Sequence, residues 1–94
     1  MAWTIIEHKV NDYNAWKQVY DRTGEVKRRY GWKRYRIFQV AHERTHLIVM
    51  DQFEREDQAQ AYLNSDFLKD ALKQMGVVGT PTMLLLEGLE EGPA

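Results

Sequence analysis

Apolar and polar residues follow two different rhythms along this chain of 94 residues. Ala2 to Val10 is dense in β-branched and aromatic side chains (Trp3, Ile5, Ile6, Val10) and runs into the turn-prone pair Asn11 and Asp12, which predicts a strand followed by a helix cap. Tyr13, Trp16, Val19, Tyr20, Val26 and Tyr30 then recur mostly at three- and four-residue steps. That spacing predicts one helix with an aromatic face, ending before Gly31 and weakened at Gly24 by about 1 kcal/mol relative to alanine. Lys33 to Val40 and Thr45 to Phe53 return to strand character, joined by Ala41, His42, Glu43 and Arg44 as a hairpin loop. From Arg55 to Met75 the apolar positions Ala59, Tyr62, Leu63, Phe67, Leu68, Ala71, Leu72 and Met75 are helical again, with an interruption near Asn64 and Ser65, where Ser65 can cap a second segment, and a stop at Gly76. Val77 to Pro81 is expected to be a loop and Thr82 to Leu89 the last strand.

The order is βαββαβ, an α+β, ferredoxin-like arrangement with a four-stranded antiparallel sheet, and nothing along residues 1–94 marks a second domain. Two helices cover one face of such a sheet, so its strands should alternate between apolar and polar positions. They do not. Leu47 to Met50 and Met83 to Leu86 are unbroken apolar runs, and Trp3 to Ile6 is nearly one. Strands with this pattern are covered on both sides, and a second copy of the same sheet is the simplest cover, which predicts a homodimer.

Composition narrows the chemistry. There is no cysteine, so a disulfide, a thiolate zinc site and a cysteine nucleophile are all excluded, and a reducing, cytoplasmic location is expected. Thirteen basic residues against fourteen acidic ones leave a formal charge of -1, which gives no reason to expect nucleic acid or an anionic membrane as partner. No stretch approaches the ~18 apolar residues of a membrane helix.

One local charge cluster stands out. Lys27, Arg28, Arg29, Lys33, Arg34 and Arg36 interleave with Tyr30, Trp32 and Tyr35, a mixture that can hold phosphates and stack bases, and RNA-recognition domains share the βαββαβ order. The third strand, Thr45 to Phe53, lacks their glycine and internal aromatics, so the cluster is expected to be a solvated face.

His42-Glu43-Arg44-Thr45-His46 spells the H-E-x-x-H of zinc hydrolases. That chemistry needs both histidines on one helical face. Strand-like residues flank the motif on both sides, so it is expected to lie in a hairpin and to hold no metal.

Several residues suit small-molecule chemistry. His8, near the end of the first strand, shares a face with Ile6 and Thr4 and can serve as a base in apolar surroundings; a structural histidine fits the same pattern. Trp16 and Tyr20 stand on one helix face and can line a pocket for a flat ligand or simply fill the core. Tyr35 offers a phenol that can orient a ligand oxygen.

The run His8-x-Val10-x-Asp12-Tyr13-x-x-Trp16-Lys17, Phe53 followed by an acidic helix start, and Gly76-Val77-Val78 after the second helical region together resemble the dimeric α/β barrel superfamily, in its branch of small proteins related to the antibiotic biosynthesis monooxygenases. The resemblance covers roughly Thr4 to Leu89. It implies a homodimer whose sheets face each other and a small-molecule pocket between each sheet and its helices. Members include cofactor-independent oxygenases of aromatic polyketides, haem-degrading enzymes and muconolactone isomerases; the asparagine, histidine and tryptophan set of the haem-degrading members has no matching positions here. The expectation is a dimeric binder of an aromatic or polyketide-like molecule, with oxidation that needs no cofactor, His8 as base, and Trp16, Tyr20 and Tyr35 as pocket wall. A stress or regulatory dimer without catalysis is the alternative of a different class.

Overall fold

The computed structural model describes the whole chain, Met1–Ala94. Its elements are β1 (Ala2–Val10), α1 (Tyr13–Arg22), α2 (Gly24–Arg29), β2 (Trp32–Val40), β3 (Glu43–Phe53), α3 (Glu56–Leu63), α4 (Asp66–Gln74) and β4 (Val77–Glu87). The strands form one antiparallel sheet in the order β2-β3-β1-β4, the α+β, ferredoxin-like arrangement expected, with each helical region divided in two. No helix is long and apolar enough to cross a membrane.

The aromatic helix starts at Asp12, whose carboxylate accepts from the Asn14 and Ala15 N–H groups, a cap worth about 1 kcal/mol. It does not run unbroken to Tyr30. Thr23 turns its N–H and its hydroxyl to the Tyr20 carbonyl, at 3.0 and 2.6 Å, and the chain restarts as α2 at Gly24, so the glycine opens a helix instead of weakening one. The second break falls at Ser65, as the sequence suggested, with Ser65 Oγ accepting from the Leu68 N–H at 3.2 Å. Gly31 closes the first helical region at φ +88°, where a Cβ would stand 2.5 Å from Gln58 Oε1; only glycine fits there.

Two strand boundaries differ from expectation. The β2–β3 loop is only Ala41–His42, with Val40 paired to Glu43, and His42 takes up the reversal at φ +69°. β4 begins at Val77, because Gly79 and Pro81 are absorbed into a bulge: Glu7 pairs with Thr82 and Lys9 with Val78, which sets Gly79–Thr80–Pro81 opposite His8. β4 lies at the edge of the sheet, where a proline and a bulge are tolerated.

Parity divides the sheet. Thr4, Ile6 and His8 of β1 and Leu47, Val49, Asp51 and Phe53 of β3 face the helices and are buried, where Trp16, Val19, Tyr20, Ala59, Tyr62, Leu68, Ala71 and Leu72 pack on them. The opposite face carries Trp3, Ile5, Ile48, Met50, Leu84 and Leu86, with Phe38, Arg34 and Arg36 toward the β2 edge. No helix covers it, and Leu84 is 50% exposed.

Candidate functional site

β1 and α1 bring His8, Trp16 and Tyr20 together beneath the sheet. The first strand's alternation turns His8 inward, and the four-residue step from Trp16 to Tyr20 lays both rings on the inner face of α1. The His8 and Trp16 rings are 5.8 Å apart, and Trp16 stacks on Tyr20 at 5.0 Å with planes 17° apart. With Ile6, Val49, Asp51, Tyr62, Leu68, Leu72 and Met75 they enclose a cavity of about 20 Å³. That is room for about one water molecule, so an aromatic ligand reaches this place only if side chains move.

The polar atoms around the cavity are incompletely matched. Both ring nitrogens of His8 and the indole nitrogen of Trp16 are buried without a hydrogen-bond partner. Burial holds the His8 pKa below its ordinary value, opposed by the Ile6 backbone and reinforced by the nearby His46. The imidazole is therefore kept neutral, with one nitrogen free to accept a proton.

Beside the cavity lies a cluster that the sequence hid. Asp51 Oδ1 accepts from the Tyr20 hydroxyl at 2.8 Å, from Trp32 Nε1 at 2.8 Å and from Lys27 Nζ at 3.3 Å. Lys27 is 1% exposed, with its ammonium 3.7 Å from the centre of the Tyr20 ring and 4.2 Å from that of Trp32. Desolvation lowers its pKa to about 8, although the Asp51 charge and hydrogen bond pull upward. The Tyr20 phenol is pushed far up by burial and by Asp51, and that of Tyr62 is pushed up chiefly by burial.

Lys27 thus leaves the basic cluster in which it was counted as solvated. The sequence carried half of the signal: Asp51 occupies an inward position among Leu47, Val49 and Phe53. A carboxylate in that row needs a buried partner.

Tyr35 stands outside the cavity. It is 47% exposed at the β2 edge, stacked on Trp32 at 5.6 Å and edge-on to Tyr20 at 5.7 Å. The H-E-x-x-H motif has no helix: His42 occupies the turn, while His46 projects from β3 on the uncovered face and bonds Glu7 at 2.8 Å. No group of three or more side chains placed to hold a metal ion is present.

No protein-family model matches the chain, and no curated protein matches it in sequence. Solved structures do match in shape. A proposed antibiotic biosynthesis monooxygenase from Nitrosomonas europaea shares 19% identity over 96% of this chain and 100% of its own, with a TM-score of 0.72. A second, from Deinococcus radiodurans, shares 13% over 100% and 98%, at 0.74. SnoaB, a cofactor-independent oxygenase from Streptomyces nogalater, shares 12% over 99% and 96%, at 0.75. The chain therefore shares the ferredoxin-like α+β fold of these solved structures.

Proposed function

We propose that this chain binds a small molecule carrying a phenolic or enolic hydroxyl and, as a homodimer, oxidises it with dioxygen without a metal or flavin. The observation that carries the reading is the unmatched pair at the cavity, the neutral His8 imidazole beside the Trp16 indole N–H. A hydroxyl answers both, accepting from Trp16 and donating to His8. A ligand deprotonated by His8 can itself pass electrons to dioxygen: an activated CH2 becomes C=O, and the second oxygen atom leaves as water. The protein supplies a base, a shaped site and exclusion of bulk water.

Likeness of fold to SnoaB favours this chemistry over others without fixing it, because one fold hosts many activities. The dimer is supported by the uncovered apolar face of the sheet. Dioxygen uptake with the tricyclic anthrone dithranol, corrected for its autoxidation, tests the proposal. Wild-type protein should accelerate uptake, and His8→Ala should lose about 10²–10⁴-fold of that acceleration. Equal rates would sink the catalytic reading. They would leave a non-enzymatic regulatory or stress dimer, which the small size of the cavity favours.

A further inference from the structure

Leu72 stands in the wall between two spaces. On its inner side is the cavity of about 20 Å³ beside His8 and Trp16; on its outer side an open groove of about 490 Å³ runs between α4 and β4. The outer volume falls in the range typical of small-ligand sites, whereas the inner one does not.

The groove is built for one kind of guest. Its floor and far wall are Leu72, Val77, Pro81 and Met83, and its rim carries Lys69 and Lys73. These lysines are four residues apart on α4, so their ammonium groups share a face and repel each other. Neither takes part in an ion pair, although Asp66 and Asp70 lie on the same helix. The β4 bulge forms the opposite side. There Gly79, at φ +75°, has no atom within 4 Å of the place a Cβ would take, and Thr80 adds a hydroxyl. Two adjacent unneutralised cations over an apolar floor complement an anion with an apolar body.

We propose that the α4–β4 groove is the docking site of an amphipathic carboxylate, an aryl or acyl acid whose carboxylate bridges Lys69 and Lys73 and whose apolar body lies on Val77, Pro81 and Met83 against Leu72. Rotation of the Leu72 side chain then joins the groove to the inner cavity and brings the far end of the guest to His8. This second part rests on the reading of the inner cavity as the reaction site; the docking itself does not. Lys69 and Lys73 become the residues that select charge, and Leu72 the partition that the guest must displace.

Titration of the full chain with 4-phenylbutyrate and with its neutral amide, followed by amide and histidine-ring NMR, tests both parts. Expected are saturable shifts at Leu72, Gly79, Thr80 and Met83, binding of the acid at least tenfold tighter than the amide, and loss of that preference in K69Q/K73Q, whose exposed positions leave the fold intact. A His8 ring shift that grows in Leu72→Ala supports the joined path. Groove shifts with a silent His8 ring support the docking site and count against the inner cavity as reaction site. His8 shifts that persist unchanged in K69Q/K73Q support the inner cavity and overturn the docking site. Absence of saturable shifts, or equal affinity for acid and amide, overturns it as well.

Discussion

Lys27 and Asp51 meet at 3.3 Å in the interior, with 1% and 3% of their side chains exposed. The two come from α2 and β3, and the ammonium lies against the Tyr20 and Trp32 rings whose polar ends share the same carboxylate oxygen. Asp51 is thereby neutralised and satisfied at once, and Tyr20, the stacking partner of Trp16, is held in place. Replacing Lys27 leaves the buried Asp51 carboxylate one donor short, whereas deprotonation does not, because the neutral amine still donates. Lys27→Met is expected to destabilise the protein by about 3–5 kcal/mol, and Lys27→Met with Asp51→Asn to recover part of that loss. Urea unfolding of the two single variants and the double variant gives the coupling directly.

The same lysine gives a signature above neutrality. Its folded-state pKa, about 8, lies below its unfolded value, so between the two the unfolded chain binds more protons and stability rises with pH. Below about pH 8 the charged form is present in both states and the burial cost stays in full. Unfolding free energy should therefore climb from about pH 8 toward pH 10 by this contribution. The double variant should lack the rise.

His8 acts at the other end of the scale with the same sign. Its pKa is lowered by burial, so acidification protonates the unfolded chain first and stability falls as pH drops through about 6.5 toward the folded-state value. His8→Asn should flatten that part of the profile, measured by urea midpoints at pH 5 and pH 7.5.

The uncovered face should govern assembly. Native mass spectrometry of the wild type is expected to show two subunits, and Ile5→Lys with Leu84→Lys one, because these positions are cross-strand neighbours at the centre of the apolar face. A wild-type monomer would remove the homodimer from the proposed function.

Leu72→Ala should cost about 2–5 kcal/mol as a core truncation and merge the inner cavity with the outer groove. Exchange of the Trp16 indole proton with solvent should then accelerate more than the loss of global stability explains. Unchanged exchange would mean that the wall closes over the gap.

Much of this protein was legible from period alone. The inward row of β1, the interruption at Ser65 and the two-sided apolar strands all follow from where apolar residues fall, because the period of a segment records which face it buries. Boundaries set by punctuation were less legible. Gly79 and Pro81 announced a loop, yet an edge strand holds them in a bulge, and Ala41–His42 turns the chain where four residues were expected. Both depend on hydrogen bonding to neighbours distant in sequence.

Within the candidate site, the sequence by itself determined that His8 faces inward and that Trp16 and Tyr20 share a helix face. Only the tertiary structure decided what those residues meet. It buried Lys27 out of a basic run, left Tyr35 at the surface, denied His42 and His46 a common helical face, and closed the cavity shared by His8, Trp16 and Tyr20 to about 20 Å³. The physical reason is that exposure and pairing belong to the packing of several elements at once: Lys27 is buried because a break at Thr23 and the sheet beneath it bring the chain to Asp51, and no local pattern encodes that meeting.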